Sequence, residues 1–145
     1  MGYDMHQDRL IYLLTMAQQR LIQHTNAALS KAGLKVTIAQ AGILFLLKQK
    51  DLLIMSEIGK KFEIDSSAVT HLIDRLERNG YVERQVPPDN RRAILIHITP
   101  EGIKTAEEAG RVVKKINNKI KESFTKGEVE AHTKILNSII NKFKK

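Results

Sequence analysis

The clearest pattern in the sequence is a helical repeat of apolar residues near its start. Between residues 8 and 31, apolar side chains recur at steps of four, three and four, at Leu10, Leu14, Ala17 and Leu21. This spacing puts them on one face of a helix. The pattern therefore predicts a long amphipathic helix that stops at Gly33, a residue type that is common just after helices.

Two capping boxes mark further helix starts. Thr37 and Gln40 precede one apolar run, and Thr125 and Glu128 precede the last apolar stripe of the chain. In a Thr-x-x-Gln or Thr-x-x-Glu box, each side chain can satisfy the backbone amide of the other residue. We therefore expect helices to begin directly after Thr37 and after Thr125.

The segments 56–62 and 66–79 read as two short helices joined by only three residues. The second carries Val69, Ile73 and Leu76 on one face, at steps of four and three. Helices with so short a connection cross at a steep angle, as in a helix-turn-helix.

The hydrophobic period changes from helical to alternating after Gly80. Segments 81–86 and 93–98 then read as two strands, and residues 87–92 between them contain two prolines and adjacent arginines. Thr99–Pro100 is typical of a following helix start. The sequence thus predicts a mainly α fold with a small β-hairpin wing, in which a winged helix-turn-helix is flanked by N- and C-terminal helices.

Composition narrows the function. The 145-residue chain has a formal charge of +8 and no cysteine, which excludes disulfides, cysteine-ligated zinc and thiol redox chemistry. Its apolar runs are far shorter than the ~20 residues of a membrane span, so we expect a cytoplasmic protein without a membrane partner. The basic excess suggests nucleic acid, although residues 55–99 carry seven basic and seven acidic side chains.

Two stretches resemble the MarR family of bacterial transcription regulators, and the likeness extends over nearly the whole chain. Residues 66–84 are similar to the family's recognition helix and its run into the wing. Residues 90–102 are similar to the wing motif, an Asp-x-Arg followed by a strand ending in Leu-Thr-x-x-Gly. Arg92 falls on the wing arginine, but the family's Asp position falls on Asn90, with an aspartate one residue earlier at Asp89.

The resemblance implies a DNA-binding surface made by the second helix of the helix-turn-helix and by the wing. Short polar side chains and longer donors suit base edges and phosphates, and arginines at a hairpin tip suit phosphates or a narrow minor groove. The residues assigned to DNA are Ser66, Ser67, Thr70, His71, Arg75, Arg91 and Arg92. Simpler interpretations are that Ser66 only caps its helix, that Arg75 pairs with Asp74 or Glu77, and that the arginines of the wing lie in a solvated turn.

The apolar stripes of the terminal helices fit a homodimer or packing within one chain, and the resemblance favours the homodimer, on a pseudo-palindromic site. This divides the chain into an N-terminal dimerisation helix (1–34), a winged helix-turn-helix DNA-binding domain (35–99) and C-terminal dimerisation helices (100–145). The alternative is that the terminal helices pack on each other within one chain. The resemblance implies no cofactor. Many members of the family respond to a small aromatic or anionic effector, and the resemblance implies such a ligand here. Because this chain has no cysteine, it does not resemble the peroxide-sensing branch of the family.

The predicted function is a sequence-specific regulator of transcription, most simply a repressor that binds double-stranded DNA. The alternative is a winged-helix protein-interaction module with only non-specific DNA affinity. No enzyme is expected, because the sequence has no glycine-rich phosphate loop, zinc-protease motif or nucleophile elbow. No metal site is expected either, since the histidines have no ligand spacing.

Overall fold

The computed structural model describes residues 9–90 and 92–144. Within these ranges the chain is mainly helical with one small antiparallel sheet, which confirms the predicted fold class. The elements, in chain order, are α1 (Leu10–Lys31), α2 (Ile38–Gln49), β1 (Leu53–Ile54), α3 (Met55–Phe62), α4 (Ser66–Arg78), β2 (Val82–Gln85), β3 (Leu95–Ile98), α5 (Pro100–Lys121) and α6 (Lys126–Lys142). None of the helices in the described ranges is both long and apolar enough to span a membrane.

The predicted capping boxes both form. The Thr37 hydroxyl accepts from the Gln40 amide at 3.3 Å, and Gln40 Oε1 accepts from the Thr37 amide at 2.9 Å. Thr125 and Glu128 make the same reciprocal pair at the start of α6. Gly33 ends α1 with a φ of +80°, the left-handed conformation that glycine adopts without steric cost.

The sheet contains one strand more than the sequence predicts. β3 lies in the centre, with β2 on one side and the two-residue β1 on the other. Leu53 is paired with Ile96, while Val82 is paired with Ile98. The wing strands are also shorter than the predicted 81–86 and 93–98, because pairing begins only at Val82 and Leu95. β1 anchors the base of the wing to the segment that leads into α3.

The chain divides into two compact units, one ending at Val112 and the other beginning at Val113. The first unit contains the core, whose largest fully buried side chains are Leu29, Ile43, Leu44, Leu47, Ile58, Ile73, Leu76, Ile96, Val69 and Val82. They come from α1 to α4 and from both wing strands, so the helix-turn-helix and the wing share one core. In the second unit, α6 has no buried residue.

Hydrogen bonds of Thr99 fix the end of the wing to the start of α5. The buried Thr99 hydroxyl donates to the Gly80 carbonyl at 2.6 Å and accepts from the Gly102 amide at 3.1 Å. The Thr99 amide donates to the Tyr81 carbonyl at 3.1 Å. At Gly102 the helix passes so close to Tyr81 that no side chain fits between them: a Cβ would lie 2.1 Å from the Tyr81 carbonyl oxygen.

A second set of hydrogen bonds holds the wing on its other side, at Asp51. Its carboxylate accepts from the Ile98 amide at 2.9 Å and contacts His97 Nδ1 at 2.6 Å. Partial burial acts to raise the pKa of Asp51, but hydrogen bonds from the Ile98 and Leu52 amides and from His97 outweigh it and hold the pKa below its ordinary value. Asp51 is therefore ionised at neutral pH and ties the loop after α2 to β3.

We expect Asp51→Asn to reduce both the stability of the protein and the acid dependence of that stability. Because the pKa of Asp51 is lower in the folded chain than in the unfolded one, its contribution is present above the ordinary carboxyl pKa and is lost as the pH falls through the folded value. Loss of a charge-assisted hydrogen bond at this partly exposed site should cost about 1.5 kcal/mol at pH 7, the lower end of the usual range. Urea unfolding at pH values between about 2.5 and 7 measures the free energy of unfolding and its dependence on pH.

Asp89→Asn is the matched control for this experiment, because Asp89 is exposed and makes no hydrogen bond or ion pair with any residue that the structure describes. It should leave the pH profile unchanged. If both variants follow the wild-type profile below pH ~4, the carboxylate of Asp51 does not hold the wing.

Candidate nucleic-acid interface

α4 presents one buried face and one exposed polar face. Val69, Ile73 and Leu76 are 0–1% exposed, as their spacing predicts. Around the rest of the helix, the side chains assigned to DNA all lie exposed: Ser66, Ser67, Thr70, His71 and Arg75. The structure therefore brings five of the seven predicted site residues together on one helix surface.

Asp65 caps the amino end of α4, and this differs from the simpler interpretation of Ser66. The Asp65 carboxylate accepts from the Ala68 amide at 2.8 Å and from the Ser67 hydroxyl at 2.8 Å. Hydrogen bonds from Ala68 and Ser67 lower the pKa of Asp65. The N-cap of the helix thus carries an ionised carboxylate, and Ser66 is the first helical residue rather than the cap.

Three side chains on this face carry a hydroxyl group, and two of them already donate their proton to a hydrogen bond within the protein. Ser67 donates to Asp65, and Thr70 Oγ1 donates to the Ser66 carbonyl at 2.9 Å. A hydroxyl has one proton and two acceptor lone pairs. Ser67 and Thr70 therefore offer acceptors, and Thr70 also offers a methyl group, whereas the Ser66 hydroxyl has no partner among the described residues and can donate.

Arg84 determines which charges on α4 are available. It lies on β2 and contacts Asp74 at 2.5 Å and Glu77 at 2.6 Å, and its amide donates to Glu77 at 3.2 Å. Partial burial acts against the charge of Arg84, but hydrogen bonds and attraction from the two carboxylates outweigh it and raise its pKa above the ordinary value. This clamp holds the wing strand against the recognition helix.

The clamp leaves Arg75 without an acidic partner. The simpler interpretation pairs Arg75 with Asp74 or Glu77, but in the structure both carboxylates are directed to Arg84. Among the described residues, the basic side chains of the helix-turn-helix and wing that make no ion pair are Lys60, Lys61, Arg75, Arg78 and Arg92. Five acidic side chains of the described segment also make no ion pair, so the positive charge available to a ligand depends on where these basic side chains lie and not on an excess over the segment.

The wing presents Arg92 at its exposed tip. Asn90 Oδ1 accepts from the Arg92 amide at 3.1 Å, so the residue at the family's Asp position stabilises the backbone of this turn. Asp89 makes no such contact. The assignment of Arg91 to DNA lies outside the described residues.

Sequence reasoning missed Asp65 as the cap of α4, and it missed the contact of Arg84 with this helix. The position of Asp65, three residues before Ala68 at a helix start, is a capping signal that could have been read. The role of Arg84 depends on how β2 packs against α4. No spacing rule predicts that contact.

The fold and the exposed face of α4 define a winged helix-turn-helix protein. The profile described as the MarR family matches residues 36–94. The HTH-type transcriptional repressor MdtR of Bacillus subtilis is 35% identical over 108 residues, which cover 72% of this chain and 70% of MdtR. The chain belongs to the MarR family.

Other relatives and solved structures agree with this membership. The multiple antibiotic resistance protein MarR of Salmonella typhimurium is 28% identical over 133 residues, which cover 91% of this chain and 89% of that protein. Wild-type MarR from E. coli without ligand has a TM-score of 0.72 at 26% identity, covering 90% of this chain and 96% of that one. A mutant E. coli MarR complexed with operator DNA shares the fold, with a TM-score of 0.83 at 24% identity over 97% and 99% of the two chains.

Proposed function

We propose that this chain is a transcriptional regulator that binds a specific sequence of double-stranded DNA through α4 and the wing. The observation that carries the proposal is the exposed Arg75, which Arg84 leaves unpaired by binding both neighbouring carboxylates. An unpaired arginine next to a row of small polar side chains suits the major groove. That a relative of the same fold is complexed with operator DNA supports this use of the surface.

We propose a role for each predicted contact, and for Ser67 and Thr70 the hydrogen bonds within α4 support it. Arg75 donates to guanine O6 and N7. Ser67 and Thr70, whose protons are committed, accept from the amino groups of adenine or cytosine, and the Thr70 methyl meets a thymine methyl. Ser66 donates to an acceptor on a base edge, and His71 contacts an acceptor beside Arg75. Arg92, with Arg91, reaches the minor groove or its phosphates.

A second copy of the chain is proposed as the partner that covers the terminal helices. In α1, Leu10, Ile11 and Leu13 are 69%, 80% and 54% exposed, and in α6 Ile140 and Phe143 are 63% and 77% exposed. Apolar surface of this extent marks an association site. A two-fold dimer would carry its recognition helices about 34 Å apart, matched to a pseudo-palindromic operator.

The division of labour along the chain follows from this proposal. Residues 35–99 read DNA, and residues 1–34 and 100–145 hold the dimer together. The regulator is proposed to repress, as the name of its relative MdtR states for that protein, and to be released by a small aromatic or anionic effector. Because the chain has no cysteine, such a signal acts by binding rather than by thiol oxidation.

The test is to select bound duplexes from fragments of the source genome and to measure their affinity against scrambled duplexes of equal length. The proposal expects a recurrent pseudo-palindromic sequence bound at least about 1000-fold more tightly than scrambled DNA. Sedimentation should give twice the chain mass. Repeating the measurement with small aromatic anions tests release.

Equal affinity for selected and scrambled duplexes would contradict the proposal. It would favour the other candidate, a winged-helix interaction module whose DNA affinity is only electrostatic. A monomeric mass would contradict the dimer.

A further inference from the structure

A polar-rimmed groove between α3 and α4 lies beside the predicted DNA contacts. One wall carries Ser66 and Thr70 of α4, and the opposite wall carries Ser56 and Lys60 of α3. Each pair is four residues apart, so each lies on one side of its helix. Ser56, Lys60, Ser66 and Thr70 are all exposed. The groove therefore continues the surface of α4 onto the first helix of the helix-turn-helix.

The two walls are held at a fixed distance by close packing beneath the rim. Gly59 is buried, and a Cβ there would lie 3.3 Å from Val69 Cγ2 and 3.2 Å from the Ile64 carbonyl oxygen. The backbone of α3 thus lies close to α4, and a side chain at position 59 would require a small shift of its neighbours. As a result, the rim residue next to Gly59, Lys60, has a fixed backbone position relative to Thr70.

The amino end of α4 is a poor place for a phosphate. The amide of Ala68, which would otherwise point toward an anion, already donates to Asp65. The ionised Asp65 carboxylate would also repel a phosphate placed there. Near the amino end of α4, a cation on a neighbouring element is therefore better placed than α4 itself to hold a phosphate of the DNA strand.

Lys60 is the basic side chain that lines this groove. It makes no ion pair within the described part of the chain, and the nearby Glu57 is directed to the Ile54 amide at 3.4 Å. Ser56, one turn earlier, has no hydrogen-bond partner for its hydroxyl among the described residues. An ammonium and a hydroxyl one turn apart match a single phosphate group.

We infer that Lys60 and Ser56 hold one backbone phosphate of the bound DNA across the groove from Thr70, so that Lys60 is a positioning residue for the reading of bases by α4. This inference rests on the proposed function and extends it from α4 to α3. It agrees with the general geometry of a helix-turn-helix, in which the first helix crosses the DNA backbone.

The test compares Lys60→Ala with Lys61→Ala over a series of salt concentrations, on a selected duplex and a scrambled one. Lys61 is the matched control, because it is the next residue, is also exposed and does not line the groove. Lys60→Ala should weaken binding to both duplexes by the same factor, about five- to tenfold, and lower the slope of log affinity against log salt by about 0.9. Lys61→Ala should leave the slope unchanged, and Lys60→Arg should restore it.

Three results would overturn the inference: an unchanged slope in Lys60→Ala, an equal change in Lys61→Ala, or a loss confined to one duplex. A wild-type protein that does not prefer the selected duplex would contradict the proposed function instead, and the slope on scrambled DNA would still decide the role of Lys60. Thermal unfolding of each variant verifies that the fold is intact.

Discussion

The double variant Arg75→Ala/Arg92→Ala should lose at least about 30-fold in affinity for its selected duplex. Each side chain is expected to contribute about 1–3 kcal/mol, and the effects should add because the two residues lie on separate elements and share no partner. The single variants should differ in kind. Arg75→Ala should lose the preference at one base pair, whereas Arg92→Ala should weaken binding to all sequences.

The control for this variant is Arg20→Ala/Arg111→Ala, which removes the same charge from exposed positions outside α4 and the wing. Both double variants reduce the long-range attraction of the protein for DNA equally. DNA titrations of both double variants at the same salt concentration, about 0.15 M, separate the effect of the direct contacts from that of net charge. If the two double variants bind the selected duplex with the same affinity, Arg75 and Arg92 act only through net charge and do not read DNA.

The helices were predictable because their signals are local. A capping box such as Thr37 with Gln40 acts over a single turn, and the buried face of α4 follows directly from the spacing of Val69, Ile73 and Leu76. β1 was missed for the opposite reason. Two residues are too few to show an alternating pattern, and Leu53 and Ile54 become a strand only because β3 lies beside them.

The candidate site was predictable only in part. The sequence indicates which face of α4 is polar, but it does not show which of its charges remain available. That depends on Arg84, which lies ten residues from Asp74 and seven from Glu77 and reaches them only after the wing has packed on the helix. The neutral charge count of the segment therefore does not show which of its charged side chains are free to contact a ligand.

The terminal helices show a different limit. Their apolar stripes are readable, but most of the predicted α1 stripe is not buried within the first unit: Leu10 is 69% exposed and Leu21 is 41% exposed. In α5 the buried residues are Gly102, Thr105, Ala106 and Ala109, whereas the apolar Ile103 is 38% exposed. Periodicity identifies an apolar face, but it does not say whether the same chain or a second one covers it.

Gly102→Ala should destabilise the protein by about 3 kcal/mol, at the upper end of the cost of overpacking. The added methyl group would lie 2.1 Å from the Tyr81 carbonyl oxygen and 2.8 Å from Ile98 Cγ1. Tyr81 cannot move away easily, because its amide donates to the Leu76 carbonyl and its carbonyl accepts from the Thr99 amide. Urea unfolding at pH 7 measures the change in the free energy of unfolding.

Gly110→Ala is the internal comparison for this prediction, since it makes the same substitution in the same helix and the same compact unit. The nearest atom to a Cβ at Gly110 is Phe45 Cε1 at 4.0 Å, an ordinary contact. Alanine favours a helix interior over glycine by about 0.5–1 kcal/mol, so Gly110→Ala should stabilise the protein. The two variants are thus expected to move the unfolding midpoint in opposite directions. Similar midpoints would show that α5 can shift away from Tyr81, and that the close contact between Gly102 and the Tyr81 carbonyl does not fix the start of α5 to the wing.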